Sequence, residues 1–241
     1  MPDTKLDAVF FDIDDTLFSS TEFQERARAS AIDAMLGAGL RVGEDKVRSL
    51  LHEIIDEHDS NFGFQFDEVL RRLPADTYAP VNPAVIVSSA IVAYHDLKFR
   101  ELKPYDDVVP LLALLREKGL RLGVVTHGRP AKQAEKIIRM GLLPSFDPGL
   151  IFVVEQIDAA GKEDPALWRT VAARSGVESA RCMYVGDHPT KDVDGPKAAG
   201  FLTVLVKRGG KYASVAATTA PTHEVSDMAA LRRILSETYG L

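Results

Sequence analysis

The stretch Ala8-Val9-Phe10-Phe11-Asp12-Ile13-Asp14-Asp15-Thr16 decides how the rest of the chain is read. Four apolar residues with no polar interruption suit a strand buried on both faces, as in a parallel sheet. Charge then begins abruptly, and the two-residue period of extended chain puts Asp12 and Asp14 on one side with Ile13 on the other. Four further runs have the same character: Arg121 to His127, Leu150 to Glu155, Cys182 to Asp187 and Thr203 to Lys207. Helical patterns separate them at Val108 to Lys118, Ala131 to Met140, Pro165 to Ser175 and Lys191 to Ala199. Gly119, Gly141, Gly176 and Gly200 follow these helices, where glycine enters the left-handed conformation without a Cβ penalty. Strand, helix and glycine recurring in this order predict an α/β fold, a Rossmann-like doubly wound parallel sheet.

Residues 19–103 break the alternation and read as helices alone. Ser19 with Glu22 forms a capping-box pattern before a helix that Gly37 and Gly39 end. Val47, Leu50, Leu51, Ile54 and Ile55 keep 3.6-residue spacing, and Asn82-Pro83 opens a third helix running to about Arg100. The expected organisation is a core of residues 1–18 and 104–241 with an all-helical cap of residues 19–103 inserted after the first strand. The cap is expected to act as a lid. Phe62, Phe64 and Phe66 within it read as packing of the insertion, with a substrate pocket or a dimer contact as the other reading.

The composition narrows the function. The 241 residues are 46% hydrophobic and 27% charged, with 29 Lys and Arg against 35 Asp and Glu, a net charge of -6. Such a balance gives no footprint for a nucleic-acid backbone or an anionic membrane. The single cysteine, Cys182, excludes an internal disulfide and a cysteine-based zinc cluster and suits a reducing compartment. With no long apolar run and no secretory pattern in its first residues, a cytoplasmic protein is expected, monomer or homodimer.

In open α/β sheets ligands sit beyond the carboxyl ends of the strands, so those ends hold the candidate site. They carry Asp12 and Asp14, then Thr126-His127-Gly128, then Gly161-Lys162 in the loop after the third strand, then Asp187 with Asp192 five residues on. Taken singly each has a bland reading. An Asp-x-Asp is a turn or cap, Thr126 a β-branched strand residue, Lys162 a solvated lysine, Asp187 a helix cap and Asp192 a first-turn acid. Together they fall on one edge of one sheet. Two carboxylates about 4 Å apart repel by roughly 4 kcal/mol at an effective dielectric near 20, so the cluster requires a cation or a shared proton. Oxygen ligands without cysteine suit Mg²⁺, and a phosphoryl group is the natural third party. One carboxylate attacking phosphorus and a second protonating the leaving oxygen completes a mechanism, without saying which is which.

As a set, Asp12-Ile-Asp-Asp-Thr16, Thr126, Lys162 before Glu163-Asp164-Pro165 and Trp168, and Gly186-Asp-His-Pro-Thr-Lys-Asp192 resemble the four motifs of the haloacid dehalogenase superfamily. The resemblance covers the core and places the insertion where that superfamily carries a cap. It implies a Mg²⁺-dependent phosphatase of small phosphorylated metabolites, with Asp12 the nucleophile that forms an aspartyl-phosphate and Asp14 the acid and then base. It also implies Asp12, the main-chain carbonyl of Asp14, and Asp187 as metal ligands with Asp192 nearby. Thr126 and Lys162, with His127 and Gly128 in the same loop region, would hold the phosphoryl group. His127 stands where the family often has Asn or Asp, and His188 follows Asp187. Both read as loop residues unless they reach the crevice. Carbon-halogen cleavage on the same fold has no use for Asp14, whereas a phosphomutase stays open. A phospho-aspartate signalling receiver, the alternative outside enzymes, would need about half this length and no cap. No Gly-x-x-x-x-Gly-Lys-Ser/Thr loop occurs.

Overall fold

The computed structural model describes residues 5–58, 62–212 and 214–241. In chain order the elements are β1 (Ala8–Phe11), α1 (Ser20–Gly37), α2 (Glu44–His58), α3 (Gln65–Arg71), α4 (Pro83–Glu101), α5 (Val108–Glu117), β2 (Arg121–Thr126), α6 (Pro130–Arg139), β3 (Ile151–Val153), α7 (Pro165–Ser175), β4 (Cys182–Gly186), α8 (Asp194–Ala198), β5 (Leu202–Val206), β6 (His223–Val225) and α9 (Met228–Tyr239), with short 3-10 turns between some of them. Two compact units result. One joins the chain up to Thr21 to Lys103–Leu241, and the other is Glu22–Leu102.

All six strands lie in one parallel sheet of order β3-β2-β1-β4-β5-β6. The order reverses at β1, whose neighbours are β2 on one side and β4 on the other, with Phe11 opposite both Val124 and Val185. This reversal opens a crevice at the strand ends that carry Asp12, Thr126 and Asp187. Every residue of β1 and β4 is buried. One side of the sheet packs Phe10, Phe152, Trp168, Tyr184 and Phe201 into a common cluster, with Trp168 and Tyr184 ring centroids 4.3 Å apart. Gly123 makes room for it, because a Cβ there would lie 2.6 Å from the Phe10 ring and from the Leu150 carbonyl oxygen.

The helical unit has its own core. Ile32 and Met35 of α1, Val47, Leu51 and Ile54 of α2, Val69 of α3 and Ile86 of α4 are wholly buried in one cluster. Asn82 caps α4 by accepting a hydrogen bond from the Ala84 amide at 3.0 Å, with Pro83 in the first turn, as its sequence predicts. Phe66 belongs to this core and Phe62 packs against it, whereas Phe64 is exposed.

Several expectations change at the level of single elements. Helix α1 is not opened by the Ser19 and Glu22 box. The amide of Thr21 donates to Asp15 Oδ1 at 3.0 Å and its hydroxyl to Asp15 Oδ2 at 2.6 Å. Asp15 reaches them from the left-handed region, at φ 51°. Helix α3 has seven residues, too few for a periodic signal, and exists because Phe66, Val69 and Leu70 are buried. The helix expected at 191–199 is only α8, preceded by turns in which the amides of Asp192 and Asp194 donate to the carbonyls of His188 and Thr190. β6 is a three-residue strand that the apolar pattern does not single out. Among the described residues no helix is long and apolar enough to cross a membrane.

Cys182 begins β4 and is buried, and burial pushes its thiol up to about 12. The thiolate is the reactive species. Cys182 is therefore expected to resist a disulfide reagent such as dithionitrobenzoate in native buffer and to react fully in denaturant. Rapid labelling of the folded protein would contradict the packing of β4.

Candidate active site

The crevice is built from the ends of β1, β2 and β4 and from the loops that follow them. The Asp12 amide continues the β1 to β4 ladder by donating to the Val185 carbonyl at 2.9 Å, which fixes where the Asp12 side chain starts. Lys162, in the loop after β3, is only 4% exposed. Its ammonium donates to Asp12 Oδ1 at 2.8 Å and to Asp192 Oδ1 at 2.9 Å. A lysine in that position is not solvated; it is enclosed between two carboxylates.

Three supports hold the ammonium there. The Lys162 carbonyl accepts from the Trp168 indole at 2.7 Å, so the largest residue of α7 anchors the loop. The Tyr184 hydroxyl lies 2.9 Å from the Val125 carbonyl and 3.2 Å from Asp192 Oδ1. Asp192 Oδ2 accepts from the His188 amide at 2.8 Å. Glycines keep the site closed: a Cβ on Gly195 would overlap the Lys162 carbonyl, and one on Gly186 would overlap the Asp192 carboxyl.

Charge in the crevice does not balance. Asp12, Asp187 and Asp192 are buried, and one carboxylate oxygen from each lies within 4.8 Å of the others. Asp187 makes no ion pair among the described residues. Burial, followed by repulsion from Asp192 and Asp12, raises the Asp187 carboxyl well above the ordinary range. Burial also raises Asp12, although the attraction of Lys162 opposes it. For Lys162 burial acts downward, but Asp12 and Asp192 outweigh it and hold the ammonium above its usual value. A buried oxygen donor set with an uncompensated negative charge fits a hard divalent cation, for which Asp12, Asp187 and Asp192 are the available ligands. The Asp14 carboxylate is not one of this group.

Asp14 pairs instead with Lys136 of α6, whose ammonium is 2.6 Å from each of its carboxylate oxygens. Nothing in the sequence reading pointed to Lys136 or to Gln133, one turn before it. The available signal is their three-residue spacing on the helix that follows Thr126. Thr126 is buried at the end of β2. His127 is mostly exposed, with Nδ1 3.2 Å from Glu155 Oε1, which also accepts from the Gly128 amide at 2.6 Å. His188 turns Nδ1 toward the amides of Thr190 and Lys191, each at 3.3 Å, and its ring lies 4.2 Å from that of Tyr212.

The crevice, its four motif loops and the sheet that carries them define a hydrolase. The haloacid dehalogenase-like hydrolase family matches residues 6–200, and the chain belongs to that family. It is 44% identical over 207 residues to a glyceraldehyde 3-phosphate phosphatase of Methanopyrus kandleri, covering 85% of each chain. It is 35% identical over 204 residues to the Methanocaldococcus jannaschii protein of the same name, covering 85% of this chain and 86% of that one. The solved structure of a HAD phosphatase from Thermococcus onnurineus superposes with a TM-score of 0.64 at 27% identity, over 95% of this chain and 98% of that one.

Removing one member of a buried ion cluster leaves the others uncompensated, which costs about 3–5 kcal/mol. Lys162→Met is therefore expected to lower unfolding stability in urea by roughly 3 kcal/mol when chelator is present. A change below about 1 kcal/mol would show that the Asp12 and Asp192 carboxylates do not depend on Lys162.

Proposed function

We propose that the protein is a Mg²⁺-dependent phosphatase of small phosphorylated metabolites, working through an aspartyl-phosphate on Asp12, with glyceraldehyde 3-phosphate or a similar triose phosphate as substrate. The observation that carries this reading is the Asp12 carboxylate held against Lys162 in a buried crevice, with Asp14 two residues further along the same loop. The substrate class rests on relatives named for that ester.

Asp12 attacks phosphorus, and the bond to the ester oxygen breaks as the new acyl-phosphate bond forms. Lys162 keeps the attacking carboxylate aligned and supplies positive charge beside the transferring group. Thr126, ending β2, offers a hydroxyl donor to the same group. Asp14 protonates the departing oxygen and then takes a proton from the water that hydrolyses the acyl-phosphate, so one carboxyl serves both half-reactions. Asp187 and Asp192, with Asp12 and the Asp14 main-chain carbonyl, would hold Mg²⁺. When bound, the ion offsets the carboxylate charge and lets a phosphate dianion approach. A dehalogenase would need Asp12 but not an acid at position 14. The helical unit, inserted directly after the loop that carries Asp12 and Asp14, is assigned substrate choice in this reading.

The test is phosphate release from glyceraldehyde 3-phosphate and a panel of other phosphate monoesters. Turnover is expected with Mg²⁺ and not after exhaustive chelation. Asp12→Asn is expected to lower kcat by on the order of 10⁴, as removal of a nucleophile does. Activity unchanged by chelation would overturn the metal assignment, and an Asp12→Asn protein retaining a tenth of wild-type turnover would overturn the nucleophile. Phe64→Ala is expected to reorder the ester panel while leaving the Mg²⁺ requirement intact; an unchanged ranking across that and other cap substitutions would count against the assignment of specificity to the insertion.

A further inference from the structure

Asp14 has a partner that the chemistry above does not use. Lys136 grips both of its carboxylate oxygens at equal distance, 2.6 Å, and is itself mostly buried, with 18% of its side chain exposed. Gln133, three residues earlier on α6 and therefore on the same helical face, is 5% exposed. Its amide nitrogen donates to the His127 carbonyl at 2.8 Å and lies 3.4 Å from Asp14 Oδ2. The Gln133 Oε1 atom is buried with no hydrogen-bond partner among the described residues. Gln133 fits against the chain only because residue 128 has no side chain: a Cβ on Gly128, at φ 126°, would stand 2.7 Å from the amide nitrogen. The Lys136 ammonium also lies over the Phe18 ring, 5.8 Å from its centroid. One face of α6 thus reaches back to the loops after both β1 and β2.

The need for such a grip follows from the charge imbalance of the crevice. Asp12 and Asp192 share the ammonium of Lys162, Asp187 lies beside them with no ion pair among the described residues, and Asp14 adds to the repulsion felt by Asp12. A third-exposed carboxylate beside that excess is driven to rotate out toward water, where neither an ester oxygen nor an attacking water is within reach. A cation on the α6 side that binds both oxygens removes this freedom. Gln133 ties the same helix face to the His127 carbonyl, so the grip is registered against the end of β2.

Resting on the assignment of Asp14 as acid and base, we propose that Lys136, seated by Gln133, is a positioning residue that holds the Asp14 carboxylate in the crevice. Lys136 acts through Asp14 and does not bind the transferred phosphoryl group. Its removal therefore lowers the rate of the chemical steps and leaves substrate binding alone.

A double-mutant cycle on the full chain separates these roles. Wild type, Lys136→Met, Asp14→Asn and the double variant are compared for phosphate release from glyceraldehyde 3-phosphate with Mg²⁺, with Lys136→Arg as the conservative control and Lys136→Gln as a second neutral variant. Lys136→Met and Lys136→Gln are expected to lower kcat by about tenfold or more, part of what a general acid and base contributes, with KM within about threefold. Lys136→Arg recovers a part of the loss. In the Asp14→Asn background the same Lys136→Met change is expected to alter kcat by less than about twofold, because the group it positions is gone. A Lys136→Met loss of equal size in both backgrounds, or a raised KM with kcat preserved, would overturn the positioning role while leaving Asp14 in place. An Asp14→Asn protein as active as wild type would overturn the reading of Asp14, and the proposal with it.

Discussion

Two buried carboxylates, Asp12 and Asp192, share the ammonium of Lys162, and the rest of the core unit is arranged so that this contact can exist. Three charged groups taken from water cost more than their attraction returns unless each is further hydrogen-bonded. The fold supplies those bonds from distant parts of the chain. The Trp168 indole holds the lysine's carbonyl, the Tyr184 hydroxyl and the His188 amide reach Asp192, and glycine at 186 and 195 lets the loops approach closely enough. The aromatic cluster beneath the sheet and the chemistry above its edge are one construction: Trp168 and Tyr184 have apolar rings in the former and polar ends in the latter.

Balance is not complete, and the remainder has a use. Lys162 pairs with Asp12 and Asp192 only, and the excess falls on Asp187, whose carboxyl is pushed toward its protonated form by burial and by repulsion from Asp192 and Asp12. A site of that kind discriminates between reactions. In the proposed mechanism a divalent cation together with the Lys162 ammonium would balance the three carboxylates, so that an anionic phosphate ester could approach. Asp14 stands outside the buried group, against Lys136, where the proposed acid and base would be kept apart from the carboxylates proposed to hold the cation.

How much of this was legible in the sequence depends on the range of the interactions. β1, β2 and β4 are continuous apolar runs followed by a polar residue, a local pattern, so their ends and the carboxylates on them are read directly. Glycines 119, 141, 176 and 200 all adopt positive φ, as their places after helices predict. The α4 cap is equally local. Lys162 was visible as a candidate, but not its enclosure, which depends on Trp168 and Tyr184 meeting it across the sheet. The anchoring of α1 by Asp15 was missed because Asp15 reads as one more member of an acidic run, and only its left-handed backbone turns it toward Thr21. Lys136 and Gln133 were missed for a similar reason: on an amphipathic helix two polar residues read as a solvated face. Their burial against Asp14 is a tertiary fact.

The central claim is that the carboxylate facing Lys162 is the atom group that takes the phosphoryl. Quenching the enzyme during turnover of glyceraldehyde 3-phosphate and reducing it with borohydride converts an acyl-phosphate to the alcohol, and peptide mass spectrometry then locates the altered residue. The account predicts homoserine at position 12 and at no other acidic residue, with none formed when substrate is omitted. Reduction at Asp14 or Asp187, or unmodified Asp12 in an enzyme quenched while turning over with the acyl-phosphate step rate-limiting, would contradict it.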